Sequence, residues 1–477
     1  MKLGELFAGA PSEARAIEVS GITADSRKVE PGFVFAALKG VAAHGRDFVT
    51  QAQAAGAVAI LSAGDVETSL PQIIDAEPRR ALALAAAKLY PRQPQTIAAV
   101  TGTNGKSSTV DFLRQIWAGG GISAASLGTL GAIGPNGVID LGHTTPDPVA
   151  IHQTLDTLAG DGVTHAAMEA SSHGLDQHRL DGVRLSAGAF LNLTQDHLDY
   201  HETMDIYRTA KLRLWGLLPA GASAVVNADA ADAAIFSEAA RARGLKVVPC
   251  GWRAGPEGLK IVEILPHPNG QTVKLAWAGV EATIDLPLIG EFQALNAVTA
   301  AALALALGEM PGAVWNALVG LKPVKGRLEH VGATNSGAHV FVDYAHTPDG
   351  LDVLLRAARP HAPGRIVLVF GCGGDRDRTK RAKMGAVAAK FADVVIVTDD
   401  NPRTEDAASI RAQVREGAPN AREIADRSQA IAEAVSMLQA GDALLIAGKG
   451  HETGQIIGKS TIPFSDQIEA RKALQHA

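Results

Sequence analysis

The run T-G-T-N-G-K-S-S, residues 101–108, follows T-I-A-A-V (96–100), an apolar stretch that reads as a short buried strand. It opens K-S-S-T-V-D-F-L-R-Q-I-W (106–117), whose apolar residues at 110, 112, 113, 116 and 117 keep helical spacing. Strand, glycine-bearing turn and helix together are the setting a phosphate loop requires. The glycines let backbone N–H groups approach a polyphosphate, and the helix N-terminus adds its positive end. Lys106 is then placed to reach the outer phosphates, and the Ser107 hydroxyl to sit on Mg2+. The general pattern asks for a glycine five positions before Gly105, where Val100 stands; the first glycine is Gly102, so this is a shortened variant.

Around that loop, the segment from 93 to 325 alternates β and α patterns, which implies a mostly parallel sheet with ligands beyond the carboxyl ends of its strands. Two further strand ends carry polar chemistry. T-H-A-A-M-E (164–169) ends at Glu169 and leads into A-S-S-H-G-L-D-Q-H-R, while S-A-G-A-F-L-N-L (186–193) leads into T-Q-D-H-L-D-Y-H (194–201). A Thr-Pro turn, H-T-T-P-D (143–147), lies between the loop and these strands. Glu169 and His197 at neighbouring strand ends suit a metal beside the phosphates, since Mg2+ favours oxygen ligands and tolerates an imidazole. Glu169 taken alone reads equally as a capping or salt-bridging acid. Lys211 falls in a helix predicted over 207–215, where an ammonium either binds a phosphate or lies on the solvent face.

Residues 1–92 form a preceding unit with I-T-A-D-S-R (22–27), a Pro-Gly turn entering a strand in P-G-F-V-F-A-A-L-K-G (31–40), the loop H-G-R-D (44–47) and an Ala-rich helix over 49–56. Ser26 and His44 read first as turn residues, and 91–94 (P-R-Q-P) as a linker. From 326 the chain alternates again. Strands at 338–344, 365–370, 393–398 and 442–447 run into H-T-P-D, G-C-G-G-D-R-D, D-D-N-P-R and G-K-G-H-E at one sheet edge, the layout of a second doubly wound site. Asp400 and Arg403 on one Asn-Pro turn suit a zwitterion, the acid for an ammonium and the guanidinium bidentate to a carboxylate.

A length of 477 residues fits about three domains. With 47% hydrophobic and 20% charged residues the composition is that of globular proteins with sizeable cores. A net charge of −6 and no long Lys/Arg run argue against a nucleic-acid partner. Cys250 and Cys372 form no C-x-x-C pair, so neither a disulfide framework nor a zinc site is expected, and both read as reduced thiols of a cytoplasmic protein. The opening M-K-L-G-E-L-F-A-G-A has an acid inside its apolar run and makes a poor signal peptide, and no apolar run is long enough for membrane insertion. The expected fold is α/β in three domains: a mixed α/β N-terminal domain (1–92), a central P-loop-type domain on a mostly parallel sheet (93–325) and a C-terminal Rossmann-like doubly wound domain (326–477). A monomer is expected.

Taken together, these motifs resemble the Mur ligase family, the ATP-dependent amide ligases of peptidoglycan-precursor synthesis. The resemblance spans the chain: D-S-R (25–27) with P-G-F-V-F (31–35), the loop, E-A-S-S-H-G-L (169–175), D-H-L-D (196–199), G-E-F-Q-A-L-N (290–296), D-Y-A-H-T-P-D (343–349), G-G-D-R-D (373–377), D-N-P-R (400–403) and G-K-G-H-E (448–452). G-T-N-G-K-S is specific to a superfamily that also holds folylpolyglutamate synthetases, which the N-terminal unit and Asp400–Arg403 disfavour. D-N-P-R resembles the members that add meso-diaminopimelate; lysine-adding relatives lack the arginine.

The resemblance implies ATP as co-substrate, Mg2+ as cofactor, and UDP-N-acetylmuramoyl-dipeptide and meso-diaminopimelate as small-molecule substrates. It implies catalytic roles for Lys106, His197 and Lys211, the last matching the lysine that the family carries as a carbamate (N6-carboxylysine). Carbamylation turns a cation that Mg2+ repels into an anionic oxygen donor. Gly102, Thr103, Asn104, Gly105, Lys106, Ser107, Ser108, Asn296 and Arg327 are implied for ATP, and Ser107, Glu169 and His197 for the metal. Ala24, Ser26, Val41, Ala42, Ala43, Thr144, Thr145, Ser171, Gln177 and Arg179 are implied for the UDP-bearing substrate. Arg376, Asp400, Asn401, Pro402, Arg403, Gly448 and Glu452 are implied for diaminopimelate, and domain closure for bringing the substrates together. Two positions depart from the pattern: Ser107-Ser108, where many members have threonines, and Gln293, where asparagine is commoner.

Overall fold

The computed structural model describes residues 1–40 and 43–475, so Val41 and Ala42, expected to touch the UDP-bearing substrate, lie outside the described residues. The chain forms two compact units, Met1–Leu259 with Thr299–Val314, and Lys260–Val298 with Trp315–Ala477.

The first unit opens on a parallel sheet of β1 (Gly21–Thr23), β2 (Phe33–Ala36), β3 (Ala59–Ser62) and β4 (Gln72–Ile74), ordered β1-β2-β3-β4. Both faces of the inner strands are covered, so β2 and β3 carry runs of apolar residues rather than an alternation. Val34 and Leu61 pack with Leu82 and Ala85 of the helix Pro78–Leu89 on one face, and Phe35 and Ile60 with Val49 and Ala52 on the other. The Ala-rich helix runs Val49–Ala54, shorter than the 49–56 expected, because the chain leaves it through Gly56 at φ +96°. The expected linker at 91–94 is held down: Arg92 Nη2 donates to Asp156 Oδ2 at 2.7 Å, and buried Gln93 donates to Gly182 O at 3.0 Å.

The central sheet of this unit contains β5 (Thr96–Thr101), β6 (Ala124–Gly128), β7 (Gly131–Gly134), β8 (Gly137–Ile139), β9 (His165–Glu169), β10 (Ala187–Phe190), β11 (Ser223–Asn227) and β12 (Lys246–Gly251). Its order is β12-β11-β10-β5-β9-β6-β7-β8, parallel from β12 to β6, with β7 and β8 antiparallel at the edge. From β5 the chain crosses to β6, returns through β9 beside β5, and then builds outward on the other side with β10. That reversal leaves a crevice at the carboxyl end of β5, where the phosphate loop begins, flanked by the ends of β9 and β10. Small residues allow the close layering: a Cβ on Gly188 of β10 would come within 2.9 Å of the buried Trp215 ring.

The second unit holds an antiparallel meander, β13 (Leu259–His267), β14 (Gly270–Trp277) and β15 (Val280–Leu286). The expectation of alternating β and α up to 325 did not include it. The Ala278-Gly279 hairpin turn, with φ of +49° and +80°, has the two left-handed residues that a tight hairpin demands. A six-stranded sheet follows: β16 (Glu329–Ala333), β17 (His339–Asp343), β18 (Ile366–Phe370), β19 (Val394–Val397), β20 (Arg422–Glu423) and β21 (Ala443–Ala447), ordered β16-β17-β21-β18-β19-β20. All but β16 are parallel, so the four strands foreseen there (β17, β18, β19 and β21) do end at one edge. A hairpin of β22 (Gly454–Ile457) and β23 (Ser460–Pro463) lies beyond β21.

Arg427 and Asp466 form an ion pair with both side chains 0% exposed, Nε to Oδ1 at 2.7 Å and Nη2 to Oδ2 at 2.8 Å. Arg427 Nη2 also donates to Ala447 O, the last carbonyl of β21, at 2.9 Å. Arg427→Ala strands a buried carboxylate and should cost about 3–5 kcal/mol in urea unfolding, whereas Arg427→Met with Asp466→Leu should recover most of that loss.

Candidate active site

Gly105 caps the helix Lys106–Gly119 in the left-handed conformation, φ +89°, which a residue with a Cβ adopts only under strain. The loop before it is fastened to the chain leaving β10. Asn192 Oδ1 accepts the N–H groups of Thr103 at 3.1 Å and Asn104 at 2.9 Å, and Asn192 Nδ2 donates to Asn104 O at 3.1 Å. Thr103 Oγ1 accepts the Thr194 N–H at 3.0 Å and meets the Tyr207 hydroxyl at 3.2 Å. Lys106 Nζ donates back to the carbonyls of Gly102 and Thr103, both at 2.9 Å. Ser107 and Ser108 are buried in the first turn of the helix.

Lys211 Nζ reaches the same Gly102 carbonyl at 2.8 Å and stands 4.4 Å from the centroid of the Tyr207 ring. Its residue is 1% exposed, which overturns the solvent-face reading. The helix Met204–Gly216 turns Tyr207, Ala210, Lys211, Leu214 and Trp215 inward at helical spacing, so Lys211 belongs to the buried stripe. Burial, followed by repulsion from Lys106 and set against attraction from Asp196, pushes its pKa well below the usual lysine range. Burial also pushes the Tyr207 phenol up to about 12.

Glu169, at the end of β9, is 2% exposed. Its Oε1 accepts the Thr129 N–H at 2.8 Å, and Thr129 Oγ1 meets Thr144 Oγ1 at 2.9 Å. Thr145 Oγ1 donates to Glu169 O and accepts the Ser171 N–H, each at 3.1 Å. Arg179 donates to Thr145 O and to Gln177 Oε1, and Gln177 Nε2 donates to the Tyr200 hydroxyl at 3.1 Å. Thr144, Thr145, Glu169, Ser171, Gln177 and Arg179 are thus brought into one connected network. His197 is exposed, in a left-handed conformation at φ +53°, with its ring 5.0 Å from that of His173 and 6.2 Å from that of Tyr207. Among the described residues no three His, Cys, Asp or Glu side chains converge as a metal group. The hydroxyl of Ser107 and the carboxylate of Glu169 are nevertheless the hard oxygen donors Mg2+ prefers, with the His197 imidazole as a tolerated third. Room for that carboxylate is built in, because a Cβ on Gly128 would fall 2.1 Å from Glu169 Oε1.

Ala24 and Ser26 follow β1, and Ala43 lies in the loop after β2, so these expected contacts share the carboxyl edge of the small sheet. Ala24 and Ala43 are exposed, and Ser26 Oγ donates to Gln51 Oε1 at 3.1 Å.

In the second unit, Asp400–Arg403 follows β19 and G-K-G-H-E follows β21. Asn401 Oδ1 accepts from Lys449 Nζ and from the Ile456 N–H, both at 2.9 Å, while its Nδ2 donates to Glu452 Oε2 at 2.9 Å. Lys449, 0% exposed, also donates to Glu452 Oε2 at 2.8 Å. Gly448, at φ +115°, leaves space for Asp400, whose Oδ2 would lie 2.7 Å from a Cβ. Arg403, at φ +51°, donates from Nη1 to Gly374 O at 2.8 Å and is paired through its backbone with β22. Pro402 is buried under Gly374, and Arg376 is exposed on the same glycine-rich loop. Buried Arg381 clamps this loop to the next by donating to Gly373 O at 3.1 Å and to both oxygens of Glu405, holding that carboxyl down to about 2. Asn296 Nδ2 donates to Gln293 Oε1 at 3.1 Å, and Arg327 lies 4.8 Å over the Tyr344 ring. The residues expected to bind ATP are therefore divided, 102–108 in the first unit and Asn296 and Arg327 in the second.

Residues 18–92, 100–304 and 326–450 match, in turn, the profiles of the Mur ligase family catalytic domain, the Mur ligase middle domain and the Mur ligase glutamate ligase domain. The chain is 51% identical, over 98% of its length and 96% of the relative's, to the UDP-N-acetylmuramoyl-L-alanyl-D-glutamate–2,6-diaminopimelate ligase of Brucella melitensis biotype 1. It is 52% identical to the protein of the same name from Agrobacterium fabrum, over 97% of this chain and 94% of that one. The solved structure of a UDP-N-acetylmuramoyl-L-alanyl-D-glutamate–2,6-diaminopimelate ligase superposes with a TM-score of 0.76 at 32% identity, covering 100% of this chain and 99% of the other.

The chain belongs to the Mur ligase family.

Several residues that shape this Mur ligase were not picked out from its sequence. Asn192 sits inside F-L-N-L, where one polar residue at the end of an apolar run was the available signal. Lys449, between two glycines, looks like any surface lysine until its burial is seen. Gly128 carries no local signal at all, because its reason is a carboxylate 41 positions away. Gly128→Ala should leave the circular dichroism spectrum unchanged while lowering kcat of the ligase by at least roughly tenfold, since the Cβ displaces Glu169 by more than an ångström.

Proposed function

We propose that this chain is the ATP-dependent ligase that joins meso-diaminopimelate to the γ-carboxyl of D-glutamate in UDP-N-acetylmuramoyl-L-alanyl-D-glutamate, a cytoplasmic step of peptidoglycan-precursor synthesis. The observation that carries it is the cluster of Asp400, Asn401, Arg403 and Glu452 at the carboxyl edge of the second sheet, joined to half-identical full-length relatives bearing that name. The assignment of residues 1–92 to the UDP end, 93–325 to ATP and 326–477 to the amino acid belongs to the same proposal, as does a monomeric enzyme.

In this reaction the γ-carboxylate attacks the terminal phosphorus of ATP, giving an acyl phosphate and ADP. The amine then adds to the acyl carbon, loses a proton, and expels inorganic phosphate. The chain's part is positioning and charge stabilisation. Lys106 leaves the Gly102 and Thr103 carbonyls to meet the outer phosphates, and the buried helix start supplies N–H donors. Ser107, Glu169 and His197 would hold Mg2+, which when bound neutralises phosphate charge. Thr144, Thr145, Ser171, Gln177 and Arg179 line the muramoyl-dipeptide. Asn296 and Arg327 contribute to the nucleotide. Asp400 takes an ammonium and Arg403 a carboxylate of diaminopimelate; Arg403 has spent one N–H on Gly374 and keeps the rest of its five-donor fork.

Lys211 suits carbamylation because CO2 reacts with a neutral amine, forming the N–C bond and releasing one proton. Its depressed pKa keeps the amine neutral at pH values where an ordinary lysine is charged. As pH falls through that lowered pKa, the amine protonates and the carbamate is lost. In 13C-bicarbonate, NMR should show a carbamate carbon at neutral and alkaline pH that fades on acidification and is missing in Lys211→Met. A spectrum identical in wild type and variant refutes the modification.

Phosphate release with ATP, Mg2+ and the UDP-muramoyl-dipeptide should require meso-diaminopimelate and be weak with L-lysine. Arg403→Ala should lower kcat/KM for diaminopimelate by roughly 10–100-fold, as for loss of a charge-assisted hydrogen-bond pair. Equal turnover with both amino acids in the wild type contradicts the assignment of Asp400–Arg403.

A further inference from the structure

The Asn192 side chain reads the phosphate loop on both its donor and its acceptor side. Its Oδ1 takes two consecutive N–H groups, those of Thr103 at 3.1 Å and Asn104 at 2.9 Å, and its Nδ2 returns a hydrogen to Asn104 O at 3.1 Å. Only one orientation of the amide satisfies all three contacts, so the pattern fixes which end is oxygen. The strand ladder stops just before: Phe190 pairs with Thr101, and the Leu191 N–H still donates to Thr101 O at 3.0 Å. The next rung is shared: the Thr103 N–H donates to Asn192 O at 3.0 Å as well as to its Oδ1, and the Asn192 side chain extends the pairing to Asn104. Its own anchor is held in turn, because Asn227 at the end of β11 donates from Nδ2 to Leu191 O at 2.9 Å. Two strand-end asparagines thus carry the sheet's hydrogen bonding one step past the last strand pair on either side.

One consequence concerns the loop itself. The N–H groups of Thr103 and Asn104, two residues expected to bind nucleotide, already face Asn192. The first turn of the helix adds amides that its own ladder cannot satisfy. Asn192 therefore sets the loop's shape rather than touching what binds there.

We propose that Asn192 is the positioning residue of the nucleotide-phosphate loop, bracing Thr103 and Asn104 so that the helix-start amides and Lys106 are presented in one geometry. This rests on the ligase reading above. Replacing Asn192 by alanine removes the three side-chain hydrogen bonds and leaves the Thr103 N–H on the backbone carbonyl of residue 192, so the Asn104 end of the loop loses its hold. Replacing it by aspartate keeps the acceptor for both N–H groups but turns a second oxygen against Asn104 O and sets an extra negative charge beside a polyanion. A purely structural residue would tolerate the near-isosteric aspartate at least as well as alanine, whereas a brace for a phosphate loop would not.

The test is equilibrium binding of Mg-ATP and steady-state kinetics for wild type, N192A and N192D, with thermal melting in the absence of nucleotide. The expected order is a rise in the ATP Kd and KM of about tenfold for N192A and roughly a further tenfold for N192D, with KM for the amino acid within about twofold of wild type. N192D binding ATP like the wild type would overturn the proposal. So would parallel losses for ATP and amino acid that follow the fall in Tm, which would mark Asn192 as a packing residue only. Wild-type protein that binds no ATP would overturn the ligase reading, and the brace with it.

Discussion

Two lysine amines converge on one backbone carbonyl, that of Gly102, and much of the first unit's chemistry follows from this crowding. Two unit charges about 4 Å apart repel by about 4 kcal/mol at the effective dielectric of a protein edge. Lys106, at the mouth of a loop, can move toward an anion; Lys211, fixed in the buried stripe of its helix over Tyr207, cannot. Burial first, and this repulsion second, push the Lys211 pKa well below the usual lysine range. A neutral, buried amine beside a phosphate loop is a nucleophile for CO2, and the resulting carbamate would reverse the sign of the charge that caused the conflict.

The same corner depends on residues with no chemistry of their own. Gly102 approaches Leu191 so closely that a Cβ would lie 2.9 Å from its side chain, and Gly128 yields its Cβ position to Glu169. Both are consequences of a sheet whose strand ends must each deliver a polar group into one narrow crevice. The parallel order β10-β5-β9 brings Asn192, the loop and Glu169 side by side, so the topology does as much as any single contact.

How much of this the sequence disclosed follows a physical rule. Features set within one stretch were legible in their placement: Gly105-Lys106-Ser107 after a strand, strand-end Glu169, and the D-N-P-R turn all declare themselves locally, and the helix start at Lys106 lies where the periodicity put it. The carboxyl edge of the second sheet was legible because four strands end in glycine or charge. Groups defined by what they meet at a distance were not. Lys211 read alone as surface, because a lysine in an amphipathic pattern gives no sign of its depth. The 91–94 segment read as a linker because proline suggests looseness, whereas Gln93 is held by the backbone of Gly182 and Arg184, some 90 positions on. The meander of β13 to β15 interrupted the expected alternation, though the turn at Ala278-Gly279 was open to being found.

The two sites are braced in different ways, and charge gives the reason. Around the phosphate loop the supports are neutral amides and hydroxyls: Asn192, Asn227, Thr103, Thr129, Thr144 and Thr145. In the second unit the supports are buried cations matched to carboxylates: Lys449 with half-buried Glu452, Arg381 with half-buried Glu405, and Arg427 with the fully buried Asp466. A loop that is to bind a polyanion and a cation needs its field set by those partners and by Lys106, so any fixed charge in its supports would favour one against the other. A site proposed to bind an amino-acid zwitterion already presents both signs. There, supports of matched charge add rigidity without a net field, and the low dielectric that makes an unpaired ion costly ties each pair to the folded loop geometry. In each unit, then, the supports leave the balance of charge in the site to the groups that would face the ligand.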